Sequence, residues 1–584
     1  MEMKKLCLNG LSFKDIIQRN FLYADKTKLI YKMLNVYDYT CCFLSRPRRF
    51  GKSLLLSTID QLFRGDRKLF DGLWIAKSDY QFERHPVLNF TMTFSEIENK
   101  YDLINGIKRK LKVLAEVEGV TIDDGTYTEM MEQLLRRISN KHGARVVILV
   151  DEYDSPVTKH ISNRDLALDN RDVLHDFYES IKTNIDYIRF ALVTGITRFA
   201  MTSMDSGPNN FKDISLKSQF AGICGFTPKE LNKLFKNRYP RTLEKLIKNG
   251  DLGPDAGFEE LEELIIKYYD GYNWLGRSNI LNPFSILSFF DEKEVGTYWP
   301  LTGRPSHLTA LVRERPMDFI LPSQDSYSAM DVRKTSLSRL EAVPILFHSG
   351  YLTIDHPTVI EIKKNNKVKL VKAFAFRFPN EEVSLAYLAD IFNDVFLPTN
   401  EYLSELTRKL PNALAEKDSV KVEKLLGDIL TSISSNEHPP KEIFIPSEQP
   451  DTGYEPTKTE KYYNAILHGC FLSAGFEVHS EGSSAHGKDD IALYLNDRFR
   501  VVIELKYCHA NRIIEKEGDV AEAGGEDKEA ERTAKEMSAA LDRAEKQMTD
   551  KDYAGPYRAA GCEVTCMAMA LRNRNQVAVR FFEY

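Results

Sequence analysis

The sequence predicts an α/β protein of several domains, on three observations. Its 584 residues exceed what one hydrophobic core holds, since single cores stop growing at about 250–300 residues. The first ~220 residues alternate short apolar runs with amphipathic helical stretches, the pattern of a parallel sheet covered on both faces. The same alternation returns after residue 459, beyond a stretch where helical spacing dominates.

Hydrophobic residues at 43% and charged residues at 28% are ordinary for a soluble globular chain. The net charge of -6 argues against a sequence-blind nucleic-acid coat, which needs a strongly basic surface, and leaves room for a locally basic cleft. Lys4 and Lys5 precede no apolar stretch long enough for a secretory signal. No run approaches the roughly 20 apolar residues of a membrane helix. The eight cysteines include Cys41-Cys42 and the pair Cys562 and Cys566. They lack a second pair at zinc-finger spacing and read as reduced, mostly buried thiols. The expectation is an intracellular, soluble protein of cytoplasm or nucleus.

In chain order, YTCCFLS (Tyr39 to Ser45), HPVLNFTM around Val87, RVVILV (Arg145 to Val150) and IRFALVTG (Ile188 to Gly195) read as buried strands. SLLLSTIDQLF and TYTEMMEQLLRRISNK read as helices between them. From Phe226, TPKELNKLFKNRY and FEELEELIIKYYDGYNW carry apolar residues at helical spacing, with Thr227 as N-cap of the first. A mostly helical region then runs to Pro440, with strand-like HSGYLTI and VKAFAFRF. The proline-rich NEHPPKEIFIPSEQPDTGYEP reads as a linker. The expected domains are 1–225, 226–440 and 459–584, joined by a linker at 441–458. The acidic segment Glu515 to Glu531 has almost no large apolar residue and reads as a disordered insertion.

Residues 45–53, SRPRRFGKS, lie between a strand and the helix SLLLSTIDQLF. In a P-loop the backbone amides wrap phosphates, the lysine reaches the β/γ oxygens and the Ser/Thr hydroxyl holds Mg²⁺. The helix N-terminus adds about half a positive charge. Gly51, Lys52 and Ser53 fit the end of that motif, while Arg46 stands where its first glycine belongs. About a hundred residues on, VVILVDEYD ends a strand in Asp151 and Glu152: the first carboxylate can hold the Mg²⁺ shell and the second can orient the attacking water. A third strand ends in Thr194-Gly195-Ile196-Thr197-Arg198, where Thr194 or Arg198 could sense the γ-phosphate. For Arg48 and Arg49 two readings stay open, phosphate contact or solvent.

The last domain opens with TEKYYNAILHGCFLSAGF, an amphipathic helix from Glu460. In HGKDDIALYLNDRFRVVIELKY, Ile491 to Leu495 is a strand, Asn496-Asp497 a turn and Phe499 to Tyr507 the paired strand. Glu504 and Lys506, two apart, share one sheet face about 6.6 Å apart along the strand. An acidic residue, a hairpin and Glu-x-Lys suit metal-assisted phosphodiester hydrolysis: carboxylates gather Mg²⁺, and the lysine orients or stabilises the nucleophile. Alternation alone leaves open whether Asp489 or Asp490 is the first acid.

RPRRFGKS, VDEYD, TGITRF, NNFKDISL, CGFTPKEL, YYDGYNW and NPFSIL resemble, in that order, the AAA-ATPase-like proteins that carry a C-terminal PD-(D/E)XK nuclease. FLYADKTKLIYKML before the P-loop, and FHSGYLTI and FRFPNEEV after it, are similar too. The resemblance implies a P-loop NTPase-type parallel-sheet domain, a helical lid or connector and a restriction-endonuclease-like α/β/α domain. It implies that Arg46 is a regular replacement of the glycine. It selects Asp490, with Glu504 and Lys506, as the nuclease core. Lys488 stands where arginine is more usual. Glu460 would add a metal ligand, and Gln547 a polar group facing the site. The function expected is an ATP-binding protein whose nucleotide state regulates or drives a Mg²⁺-dependent nuclease on DNA or RNA. The alternative is a nucleotide-dependent switch whose C-terminal domain only binds nucleic acid or a partner. Oligomeric state stays open.

Overall fold

The computed structural model describes residues 3–36, 40–197, 211–276, 279–299, 341–364, 367–387, 400–436, 476–480, 491–494, 499–508, 525–559, 561–572 and 576–583, with short pieces between 308 and 332 and between 463 and 488. The chain divides into two compact units, Met1–Ala386 and Tyr387–Tyr584.

In the first unit, β1 (Cys41–Ser45), β2 (Val87–Thr91), β3 (Val146–Asp151), β4 (Ile188–Gly195) and β5 (Phe211–Asp213) form one sheet in the order β2-β3-β4-β1-β5. Every pairing is parallel. β1 is buried throughout and β3 is buried to its last residue. Their apolar runs therefore read as continuous rather than alternating, as expected of strands covered on both faces. β4 inserts between β1 and β3, so the ends of these three strands adjoin at the carboxyl edge, where open α/β sheets bind ligands. Local signals place the covering helices. Asn99 with Asp102 and Thr126 with Glu129 form reciprocal caps at the starts of Lys100–Val117 and Tyr127–His142.

The helices Pro228–Phe235, Tyr239–Asn249, Phe258–Tyr269 and Pro283–Glu292 follow. They bury Phe235, Tyr239, Leu261, Tyr269 and Phe289 in a core of their own. Thr227 caps the first of them: its hydroxyl accepts from Glu230 N at 3.2 Å, and Glu230 accepts from Thr227 N at 2.8 Å. Glu230 also meets Lys26 at 2.7 Å, so the cap is anchored to the N-terminal segment. Beyond them, β6 (Tyr327–Ser328), β7 (Thr353–Lys364) and β8 (Lys367–Arg377) form an antiparallel sheet, order β6-β8-β7.

In the second unit, β9 (Glu477–Ser480), β12 (Ile491–Tyr494), β13 (Phe499–Cys508), β14 (Glu563–Arg572) and β15 (Gln576–Phe582) form a mixed sheet, order β15-β14-β13-β12-β9. The short pair β10 (Ser483–Ser484) and β11 (Gly487–Lys488) stands beside it in sequence. β13 runs parallel to β14 and antiparallel to β12.

By its contacts the chain divides between Ala386 and Tyr387, so the expected middle region 226–440 is shared between the two units. Residues 226–386 stay with the parallel sheet because their side chains close on the loop after β1, as Trp299 Nε1 does on Arg48 O at 3.3 Å. Helices Asn400–Ala415 and Ser419–Asn436 belong to the second unit, where Glu423 accepts from Val579 N at 2.7 Å. The proposed insertion 515–531 is helical from Gly525, at the start of the helix Gly525–Asp550. Its Glu, Lys and Ala content favours helix, and the apolar stripe Met537, Leu541 and Ala544 docks it on the sheet. Residues 515–524, like the linker 441–458, lie outside the described residues. Among the described residues no helix is long and apolar enough to cross a membrane.

One buried acid in the first unit makes a pH-dependent contribution. Glu382 is fully buried and accepts from Ser285 Oγ at 2.7 Å, Tyr298 N at 2.7 Å and Trp299 N at 2.9 Å. Burial pushes its carboxyl up to about 7, against the pull of those hydrogen bonds. The folded state thus holds this proton more tightly than the unfolded state. The stabilisation is complete below the ordinary glutamate range and is lost as pH rises through about 7. Glu382→Gln keeps the acceptor and removes the titration. Relative to the wild type it should gain on the order of 2–3 kcal/mol between pH 5 and pH 8 in urea unfolding; an unchanged difference would show that Glu382 does not titrate there.

Candidate functional site

The phosphate-binding candidate is assembled by the edge of three adjoining strands. β1 leads into a loop whose left-handed turns fall at Arg49 (φ 64) and Gly51 (φ 91). The helix Lys52–Phe63 begins at once, so its first free N–H groups face the loop. Lys52 is buried, and its Nζ donates to Arg46 O at 2.8 Å and Pro47 O at 2.9 Å, with a third donor left for a ligand oxygen. Burial pulls its ammonium below the ordinary lysine range, and Asp151, Asp154 and Glu152 push it back. Arg49 lies with its guanidinium 5.1 Å from the centre of the Phe284 ring.

VDEYD assigns one task to each polar side chain. Asp151 Oδ2 accepts from Ser53 Oγ at 2.5 Å and Oδ1 from Thr194 Oγ1 at 2.8 Å, so one carboxylate joins the end of β3 to the end of β4 and to the first turn of the helix that follows β1. A hydroxyl and a carboxylate this close form the hard-oxygen donor set that Mg²⁺ takes. Glu152 holds the left-handed conformation (φ 51), a strain of about 1–3 kcal/mol for a non-glycine residue. It accepts from Thr93 Oγ1 at 2.5 Å. Tyr153 OH donates to Thr197 O at 2.9 Å. Asp154, buried, accepts from Thr197 N and Thr197 Oγ1, both at 2.6 Å, and from Ile196 N at 3.3 Å. Burial pushes the Asp154 carboxyl up, and the Thr197 hydrogen bonds draw it back.

Gly51, Lys52, Ser53, Asp151, Glu152 and Thr194 are therefore brought to one edge. Arg198 lies outside the described residues. Sequence reasoning assigned no role to Asp154 or Thr93. Asp154 lies inside the quoted VDEYD, three residues past the strand end, but its partners come from another strand's loop. Thr93 carries no motif at all. Gly195 has a steric reason: a Cβ there would stand 2.3 Å from Tyr153 Cδ1 and 2.6 Å from Asp154 Oδ1.

In the second unit Glu504 and Lys506 are buried, and Lys506 Nζ donates to Glu504 Oε1 at 2.5 Å. Alternation explains their surroundings. On the same face of β13, Val502 packs with Met548 and Tyr553 and Cys508 packs with Met537 and Leu541. The pair thus lies on the face covered by Gly525–Asp550. Its register partners on β14 are Ala568 and Ala570, small residues that leave room for two long side chains. Tyr507, on the opposite face, stacks on Tyr463 with ring centroids 5.4 Å apart. The pair is buried beneath that helix. Gln547 donates to Tyr553 OH at 2.9 Å. Asp490 and Glu460 lie outside the described residues. Among the described residues no three His, Cys, Asp or Glu side chains cluster as a metal centre. None of the eight cysteines is joined in a disulfide.

Residues 10–205 match the AAA-ATPase-like family, described as a predicted AAA-ATPase. Residues 458–581 match the PD-(D/E)XK nuclease superfamily. The chain is also similar to an uncharacterized protein in the vnfD 5′ region of Azotobacter chroococcum mcd 1. The two are 27% identical over 587 residues, which cover 100% of this chain and 99% of that protein.

The loop tie through Asp154 should be measurable. Asp154→Asn turns at least one acceptor into a donor facing a donor, and should lower unfolding free energy by about 1–3 kcal/mol. Gly195→Ala should cost at least as much, because the neighbours of the new Cβ include a buried ring. Denaturant titration checks both, and wild-type midpoints would contradict the assignment.

Proposed function

From a chain that joins an AAA-ATPase-like domain to a PD-(D/E)XK nuclease superfamily domain, we propose a nuclease regulated or driven by ATP, acting on DNA or RNA. The observation that carries the reading is the Asp151 carboxylate held between Ser53 and Thr194 beside Lys52. Ser53 and Asp151 would hold Mg²⁺, which when bound supplies electrostatic stabilisation of the phosphoryl oxygens. Lys52 directs its remaining donor at the β/γ oxygens. Glu152, once released from Thr93, orients the attacking water, and Thr194 keeps Asp151 turned towards Ser53. Closure around the nucleotide is the step that would license the second domain.

In the C-terminal domain Asp490 and Glu504, with Glu460, would hold Mg²⁺, which lowers the pKa of a bound water. Lys506 stabilises the charge that develops during phosphodiester hydrolysis. The second reading, a nucleotide-dependent switch that binds nucleic acid or a partner without cutting, is favoured by one observation. Glu504 and Lys506 pair with each other under a helix, side chains 2% and 4% exposed.

Lys52→Ala should weaken ATP binding by about tenfold to a hundredfold, measured by equilibrium titration of folded protein. Unchanged affinity would remove the phosphate-site assignment. Glu152→Gln should keep nucleotide and lose about 10²–10⁴-fold in turnover; wild-type hydrolysis by this variant would contradict the role. For the nuclease, each variant is compared at a temperature where it is folded, because removing either partner of a buried ion pair costs about 3–5 kcal/mol even when the replacement is isosteric. Glu504→Gln and Lys506→Met should abolish Mg²⁺-dependent cleavage while leaving nucleic-acid affinity within about threefold. The switch reading expects no cleavage by the wild type and a loss of affinity in Lys506→Met.

A further inference from the structure

We infer that Arg46 is a positioning residue of the nucleotide site, a buried brace that fixes the P-loop backbone and, through it, Lys52. The inference rests on the nucleotide-binding reading above. A glycine at the start of a P-loop allows a tight turn and close backbone approach to phosphate. In this chain the left-handed turns fall later, at Arg49 and Gly51, and Arg46 is not among the residues of positive φ. Position 46 thus has no conformational need for glycine.

What Arg46 does instead is visible in its contacts. The side chain is 1% exposed. Nη1 donates to Ser45 O at 2.8 Å and Ser215 O at 2.9 Å, and Nη2 to Ala221 O at 3.4 Å and Phe220 O at 3.5 Å. The guanidinium carbon lies 4.2 Å from the centre of the Trp274 ring. With both terminal nitrogens on carbonyls and one face on an indole, Arg46 is not a phosphate ligand. Its backbone carries the consequence: Arg46 N donates to Gly195 O at 3.1 Å, and Arg46 O accepts from Lys52 Nζ at 2.8 Å. Where the guanidinium holds this residue, the ammonium of Lys52 is held too. The following turn is gripped from the same side, with Phe50 packed edge-on against Trp274 at 5.1 Å and Arg48 O accepting from Trp299 Nε1 at 3.3 Å. A planar fork on four carbonyls that also stacks on an aromatic ring is a task for arginine and not for lysine.

The expectation is opposite in sign to what the P-loop pattern suggests. Arg46→Gly, which would restore the usual glycine, should weaken binding rather than improve it. The test titrates the full chain, wild type and variants, with a fluorescent ATP analogue and Mg²⁺, at a temperature where circular dichroism shows native protein. Arg46→Gly should raise the Kd about tenfold to a hundredfold, with Arg46→Lys in between. Trp274→Leu should raise it in the same direction, and the Arg46→Gly/Trp274→Leu double variant should lose less than the product of the two. A residue of merely structural value would lower the unfolding temperature and leave the Kd of native protein unchanged; that result overturns the inference while the nucleotide reading stands. Wild-type protein that binds no nucleotide overturns both. Should Arg46→Gly fail to fold, Arg46→Lys and Trp274→Leu decide the matter, and wild-type Kd in both refutes it.

Discussion

Three segments at the carboxyl edge of the first unit's sheet are tied together by one carboxylate. Asp151 takes a hydroxyl on each oxygen, Ser53 at 2.5 Å and Thr194 at 2.8 Å. Those hydroxyls come from the first turn of the P-loop helix and from the end of the neighbouring strand. This is possible only because β4 lies between β1 and β3, so that the strand order brings three chain-distant segments into hydrogen-bond range. Take the order away and the motifs are unrelated tripeptides; keep it and Ser53, Asp151 and Thr194 meet at one edge.

The same economy runs through the loops behind the site. Asp154 and Tyr153 both bind Thr197, so the turn after β4 is fixed by the turn after β3, with Gly195 vacating the volume that the Tyr153 ring takes. Gly225 and Trp274 close on the P-loop from residues beyond the sheet. Trp274 and Trp299 thus tie residues after 226 to the loop after β1 within the first unit.

Much of this was legible in the residues. Unbroken apolar runs identified the parallel strands, because burial on both faces removes alternation, and Thr227 with Glu230 announced its helix by cap chemistry alone. Glu504 and Lys506 declared a shared face by their spacing. What was not legible needed long-range partners. Thr93 and Asp154 act on groups remote in sequence, so no local pattern marks them. The burial of Glu504 and Lys506 follows from the helix Gly525–Asp550, whose polar first turns concealed the apolar stripe that docks it. The division at Ala386 was not legible because helical spacing reports an element and says nothing about which sheet it covers.

The proposal of a nucleotide-regulated nuclease rests on two sites in separate units, the Asp151 edge and the buried Glu504–Lys506 pair. The most direct measurement is cleavage by the wild-type chain of end-labelled DNA and RNA in Mg²⁺, with no nucleotide, with ATP and with a non-hydrolysable ATP analogue. The account predicts Mg²⁺-dependent products from at least one of the two nucleic acids, at a rate that changes with the nucleotide supplied. No product under any of these conditions, with the nucleic acid still bound, would contradict it.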